Sequence, residues 1–356
     1  MTVSPFDHLF LSGLLGDEEV GSCFSVEADV AAMLAFETAL AEAEVEEGLI
    51  DSDAAAVIAA TLDTFEPEMD GLRAGVARDG VVVPELVRQL RAAVGEPHAS
   101  RVHFGATSQD VIDTSLAIRL KDAMGVIEAR LASVVDELKR LEARDGAVET
   151  MAHTRMQAAI PVPASRKIAS WREPLERHRE RLAAVRSDVC VLHFGGAAGT
   201  LEKLGDAAPA VTRRLAEKLG LRALSRARHS ERDGIVAFAS WLSLVTGSLG
   251  KMGQDVALLA QSEVGEVKLS SGGGSSAMPH KVNPVDAETL VALARFNATL
   301  VAGMHHAMVH ENERSGAAWT LEWLTLPQMV VATASALRKA EALAISMAFR
   351  ETGARG

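Results

Sequence analysis

Apolar residues recur at helical spacing along most of the chain. From Asp110 to Arg144 there is no proline and one glycine, and Leu120, Met124, Ile127, Leu131, Val134, Leu138 and Leu141 follow at alternating intervals of four and three. That spacing is a heptad seam. A second seam runs through Ile235, Phe238, Leu242, Val245, Leu249, Met252, Val256 and Leu259, and Gly247, Gly250 and Gly253 beside it permit a neighbouring helix to approach closely. Ser165 to Leu192 is a third long candidate, in which Pro174 is expected to introduce a kink. Glu288 to Glu311 and Leu326 to Phe349 complete the long segments. At 1.5 Å per residue, helices of roughly 45 to 50 Å overhang a compact domain and belong in a bundle.

The first hundred residues are patterned on a smaller scale. Ser25 suits the N-cap of a helix from about Val26 to Glu47, with Gly48 at its end and a stripe of Val26, Val30, Met33, Phe36 and Leu40. Asp51 to Leu62 and Pro84 to Val94 read as shorter helices, separated by breakers at Pro67, Gly71, Gly80 and Pro97. No alternating strand pattern is as strong, although Val81 to Val83 and His193 to Pro209 could hold short extended pieces. The predicted fold is therefore all-α. A small N-terminal helical domain (1–103) precedes a central long-helix bundle (104–340) carrying a loop at 270–284, with a residual C-terminal segment (341–356). Seamed helices with more apolar surface than one bundle needs predict association through those helices.

Composition agrees and narrows the partners. Aromatic residues are 4% of the chain, tyrosine is absent, and the formal charge is -12. An acidic protein is a poor match for nucleic acid or an anionic membrane, while a small anionic substrate remains open if basic residues gather in one cleft. Cys23 and Cys190 are the only cysteines, which excludes a disulfide scaffold and leaves no Cys/His cluster at metal spacing. No metal or organic cofactor is expected. The opening residues lack a basic and then apolar leader, and no uninterrupted apolar run reaches membrane-spanning length, so a cytoplasmic protein is expected.

Three polar stretches stand where long helices begin or end. His103-Phe104-Gly105-Ala106-Thr107-Ser108-Gln109-Asp110 precedes the first seam, and Thr107 or Ser108 would serve as its N-cap. His153-Thr154-Arg155-Met156-Gln157 is uninformative alone. Ser270 to Glu288 holds three glycines and two serines followed by Lys281, Asn283 and Glu288. Such a stretch can take left-handed conformations and present N–H groups to an anion. A Gly/Ser linker would share the glycines but has no use for the Met-Pro step and the polar residues that follow.

The run Gly274-Ser275-Ser276-Ala277-Met278-Pro279-His280-Lys281-Val282-Asn283-Pro284 resembles the signature loop of the fumarase/aspartase superfamily, and the three stretches follow the order of that superfamily's substrate-binding regions. The resemblance covers nearly the whole chain. It implies that Thr107 and Ser108 bind a substrate carboxylate, with His103, His153 and Gln157 bordering the substrate. It further implies that Ser275 is the catalytic base, that Lys281 and Asn283 hold the carboxylate at the reacting carbon, and that Glu288 is the loop-helix glutamate. A homotetramer with sites shared between subunits is implied as well. Members commonly carry a third, C-terminal helical domain, which would be truncated here, since the sequence ends just after the fifth long helix.

The informative departure is in the second stretch. Many lyases of the superfamily have Gly-Arg-Thr-His where this chain has Ala152-His153-Thr154-Arg155, so arginine takes the place of the histidine near the leaving group. A guanidinium is a poor proton donor near neutrality but pairs well with a carboxylate. The departing or attacking group is then expected to be a carboxylate. This is similar to the 3-carboxy-cis,cis-muconate cycloisomerase branch, as are Phe194-Gly195-Gly196-Ala197-Ala198-Gly199-Thr200 and Glu313 to Trp323, where Arg314 is a further candidate and Trp319 and Trp323 suit a packed helix face. The rivals are a sulfomuconate cycloisomerase, an adenylosuccinate-type lyase and an inactive structural protein of the same fold.

Overall fold

The computed structural model describes residues 3–270, 272–274, 278 and 281–350. Two short helices, α1 (Ser12–Leu15) and α2 (Glu18–Ser22), lead into α3 (Val26–Glu46), α4 (Ser52–Asp63), α5 (Met69–Asp79) and α6 (Val83–Val94). The chain continues through α7 (Ser108–Asp145), the hairpin β1 (Glu149–Thr154) and β2 (Gln157–Pro163), α8 (Ala164–Val189) and α9 (Ala208–Leu219). It ends with α10 (Asp233–Leu259), β3 (Val267–Leu269), α11 (Val285–Ala307), α12 (Ala317–Ser346) and β4 (Met347–Phe349). The all-α expectation holds.

The seams explain the bundle. Leu120, Met124, Ile127, Leu131, Val134 and Leu138 are each completely buried, and Leu141 nearly so. Burial of such a side chain stabilises by about 1.5–3 kcal/mol, so the stripe alone fixes which face of α7 turns inward. On α10, the positions from Phe238 to Leu259 are buried, while Ile235 is only partly so. Gly250 and Gly253 bring α11 close: a Cβ at either would collide with Ala294 or with Leu290 and the Ala287 carbonyl. Gly247 faces open space. By length and composition α10 could cross a bilayer, yet more than half of its apolar window is buried inside the bundle.

A second core joins the N-terminal helices to the neighbouring end of the bundle. Phe36, Leu40, Ile58, Leu86 and Leu90 meet Leu192, Phe194 and Leu215 there. Ser25 caps α3 as predicted, its side chain accepting from the Ala28 N–H. Several elements differ from the sequence reading. α5 forms although Pro67 and Gly71 read as breakers; Pro67 lies ahead of it, and Glu68 caps it by accepting from the Asp70 and Gly71 N–H groups. Val81 to Val83 is the approach to α6 rather than strand, and Ala208–Leu219, part of it inside the supposedly loop-rich stretch, is helical. The β1–β2 hairpin was not foreseen, and Met347 to Phe349 leaves the helical path to pair with Val267 to Leu269.

The N-terminal core contains one costly group. Glu44 is fully buried with neither carboxyl oxygen hydrogen-bonded, and burial, reinforced by the nearby Glu37 charge, pushes its pKa up to about 9. Below about pH 4.5 the group is neutral whether the chain is folded or not. As pH rises from there towards 9, folding must retain a proton that the unfolded chain releases, so stability falls, by roughly 3 kcal/mol at pH 7. Glu44→Gln is therefore expected to melt several degrees above the parent at pH 8 and level with it at pH 4. Equal melting at both pH values would show that Glu44 is not held neutral.

Candidate functional site

The first polar stretch is organised by a carboxylate. Asp110 lies in the first turn of α7 and is completely buried. Its Oδ2 accepts from the Thr107 N–H at 3.0 Å and the Gly196 N–H at 2.9 Å. Its Oδ1 accepts from the Gly195 N–H at 2.8 Å and meets His229 Nε2 at 2.7 Å. One side chain thus gathers the start of α7, the Phe194–Thr200 stretch and the approach to α10, and these donors substitute for the water it has lost. Gly195 is needed for space, because a Cβ there would collide with Ala227.

Beneath it lies a buried ionic cluster. Arg232 binds Asp113 at 2.7 Å and Glu322 at 2.5 Å, all three buried. Burial opposes ionisation of Asp113, but the Arg232 guanidinium outweighs it and holds the carboxyl at about 2. Trp319 Nε1 donates to Asp113 at 2.9 Å, and His310 Nε2 stands 3.3 Å from Glu322. His193, half-buried beside Asp113 and Arg232, is driven down to about 4 by desolvation and is neutral near pH 7. Gln109 connects this cluster to the surface: its amide donates to Asp113 and to the His229 carbonyl, and its oxygen accepts from Arg314 Nε at 3.0 Å. Arg314 is thereby delivered to the first stretch. Trp323 stacks obliquely on Trp319 at 4.8 Å, as a packed helix face should.

His103 completes this end. Its backbone is left-handed (φ 63°), and Nδ1 lies 2.6 Å from Oε1 of Glu37, a buried residue of α3. Desolvation lowers the imidazole pKa, yet the Glu37 charge more than reverses this and the net shift is upward. Thr107 is the N-cap residue of α7 and Ser108 its first residue, both half-buried beside His103.

The second stretch is the tip of the hairpin. Arg155 and Met156 form its two-residue turn with φ of 50° and 66°. Left-handed backbone at two residues that are not glycine costs about 1–2 kcal/mol each, a strain that commonly marks functional positions. His153, Arg155 and Gln157 are all exposed. Of the third stretch, Ser275 lies outside the described residues. Gly273 and Asn283 exchange backbone hydrogen bonds of 3.0 and 2.9 Å, closing the loop at its base. The glycines here serve close approach: a Cβ at Gly272 or Gly273 would collide with Val282, Asn283 or Val285. Lys281 and Glu288 are exposed and Asn283 is half-buried. Pro284 is the N-cap residue of α11, with Glu288 in its first turn.

Within one chain these groups do not converge. Ser108 and Asp145 bound a single helix, so the first stretch and the hairpin lie about 55 Å apart along it. α12 gives a second measure: Trp319 meets Asp113, while Lys339, about 30 Å further along, meets Asp286 at the start of α11. His103, Thr107, Ser108 and Arg314 occupy one end of the bundle, and Arg155, Lys281 and Asn283 the other.

Sequence reasoning did not find Glu37, Asp113, His193, His229, Arg232, His310 or Glu322. The available signal was polar residues on buried faces, such as Glu37 directly after Phe36 and Asp113 beside Ile112. The Glu37 contact is testable without turnover. His103 faces Glu37 from α3, Asp110 from α7 and Arg91 from α6. In Glu37→Gln the His103 ring should titrate at lower pH than in the parent, followed by NMR of its Cε1 proton. An unmoved titration would remove Glu37 as the charge that supports it.

Comparison with known proteins gives a consistent set of similarities. Residues 18–297 match the family described as lyase. The 3-carboxy-cis,cis-muconate cycloisomerase of Pseudomonas aeruginosa is 42% identical over 323 residues, covering 89% of this chain and 70% of that protein. The crystal structure of 3-carboxy-cis,cis-muconate lactonizing enzyme from Pseudomonas putida superposes with a TM-score of 0.90 at 39% identity, covering 96% of this chain and 78% of that one. Fumarate lyase from Mesorhizobium sp. BNC1 gives a TM-score of 0.87 at 34% identity, covering 94% and 76%.

Proposed function

The chain belongs to the fumarase/aspartase lyase family, and on that premise we propose that it is a cycloisomerase converting 3-carboxy-cis,cis-muconate to 4-carboxymuconolactone, a step of aromatic catabolism. The observation that carries this reading is Arg155, a guanidinium on a strained exposed turn where many lyases of the family have histidine. A purine amine leaving group wants a proton donor, whereas an attacking carboxylate wants a cation. Identities of 35 to 42% to cycloisomerases of that name support the same choice.

In the proposed mechanism a substrate carboxylate adds intramolecularly across the double bond while Arg155 holds it in attack geometry. Negative charge moves onto the carboxylate conjugated with the alkene. Lys281, Asn283 and loop N–H groups stabilise it there. Ser275 delivers a proton to the α-carbon and, in the opening direction, removes it. His103, Thr107, Ser108 and Arg314 bind the remaining carboxylates of this polycarboxylate substrate, with His153, Gln157 and Glu288 at its border. The distances along α7 and α12 support a site assembled from different subunits of a homotetramer. A cytosolic setting suits the two free cysteines.

An ultraviolet assay offering 3-carboxymuconate beside adenylosuccinate tests the assignment directly, with turnover expected on the first alone. Subunit sharing predicts complementation: mixing Ser275→Ala with Arg155→Ala chains, each strongly impaired alone though Arg155→Ala keeps a measurable residual rate, should restore part of the activity, and a competent monomer would refute it. Arg155→Lys keeps the charge without the bidentate fork and should lose activity through poorer positioning. Arg155→His should lose more, by roughly 30-fold to several thousand-fold in kcat/KM, the equivalent of leaving a buried carboxylate unpaired at about 2–5 kcal/mol. Full activity in Arg155→His would remove the main support for this branch over the lyases.

A further inference from the structure

The hairpin that carries Arg155 is irregular at its base. Glu149 pairs with Pro163, Thr150 with Val162 and Met151 with Pro161; beyond a register shift, His153 pairs with Ala158 and Thr154 with Gln157. One residue of β1, Ala152, therefore stands against two of β2, Ala159 and Ile160, a bulge that redirects the outer half of the hairpin. Met151 and Pro161 face each other at a position where the antiparallel ladder makes no hydrogen bond, as the Ala164 N–H to Val148 O bond three pairs away shows, so the Met151 N–H and C=O point away from β2 and need partners from elsewhere.

Both groups find partners outside the hairpin, and the carbonyl also meets His153 Nδ1 within it at 3.1 Å. Met151 C=O accepts from Lys167 Nζ, on the first turns of α8, at 2.8 Å. Met151 N–H donates to Glu266 Oε1 at 2.6 Å. The two side chains face each other, Lys167 Nζ lying 3.6 Å from Glu266 Oε2, and the Glu266 side chain is 1% exposed. Oε2 has no hydrogen bond of its own, so the lysine charge is its compensation. The Glu266 main chain is fixed in turn, its N–H to Leu259 O at the end of α10 and its C=O to Arg350 N, both at 3.0 Å. The next residue opens β3, which leads directly into the loop at 270–284.

We propose that Lys167 and Glu266 are positioning residues for Arg155: they clamp Met151 at the bulge, set the direction in which the hairpin tip points, and tie it to the strand that launches the loop. This rests on the reading of Arg155 as the carboxylate clamp. Arg155 lies four residue steps beyond Met151, about 13 Å of strand. A tilt of about 10° at the clamp would move the tip by about 2 Å, and a displacement of 1 Å is enough to cost about 100-fold in a positioned reaction.

A double-mutant cycle tests this in the assembled enzyme. Lys167→Met should lower kcat/KM for 3-carboxymuconate by about 10- to 100-fold, with Lys167→Arg recovering part of the loss. In an Arg155→Ala background the same Lys167→Met change should have less than about a two-fold further effect, because the residue it positions is gone. Glu266→Gln keeps volume and an acceptor for Met151, so it runs the same cycle if Lys167→Met does not fold. Amide exchange should quicken across 149–163 in the variants and stay unchanged in α10 and α11. Equal fold losses with and without Arg155, or unchanged exchange in the hairpin, would overturn the clamp. A parent enzyme inactive on 3-carboxymuconate would instead overturn the functional reading on which the clamp depends.

Discussion

The constraint behind this architecture is the unbroken length of α7. A helix of 38 residues has every internal N–H and C=O paired and cannot fold back on itself, so whatever sits at Ser108 is held far from whatever follows Asp145. The completely buried seam from Leu120 to Leu138 adds that this helix is the spine of the core. The polar motifs are consequently pinned to opposite ends of a rigid rod. A small polycarboxylate cannot bridge them within one chain, and the proposal that subunits share sites follows from that distance as much as from family resemblance.

The rod was legible in the sequence because its cause is periodic. Leu120 to Leu141 and Phe238 to Leu259 repeat every three or four residues, and tertiary burial followed that pattern nearly position by position. The hairpin was not legible, because its cause is not local. Its outer face is exposed, Pro161 and Pro163 argue against a strand, and the backbone groups left without partners are satisfied by Lys167 and Glu266, the latter more than a hundred residues away. The same holds for β4, whose partner lies about eighty residues earlier. Glu37, Asp113 and Arg232 were invisible for a related reason: a charged residue on a helix gives no sign of being buried until its counter-charge is known.

That buried polar layer gives the first end of the bundle its definition. Asp110 draws four donors from three segments, and Arg232 is held between two carboxylates. Removing one member would leave an uncompensated charge, so each fixes the others. Such a network does little for net stability against a well-packed apolar core. Its effect is to specify one geometry, and it delivers Arg314 and the His103 ring to the surface in a chain whose overall charge is strongly negative.

The opposite end is built on different terms. Arg155 stands on a turn that is strained and exposed, tied down by two backbone bonds at Met151, and among the described residues the base of the loop is held by the pair Gly273 and Asn283. Fewer buried contacts mean lower local stability, which is where movement is cheapest. On the proposed reading, a reaction on a polycarboxylate gains from that asymmetry: one end would supply fixed recognition, and the other would present Arg155 and Lys281 to the substrate. Glu266 sits between the hairpin and the strand entering the loop, so a displacement of either is felt by the other through one buried carboxylate.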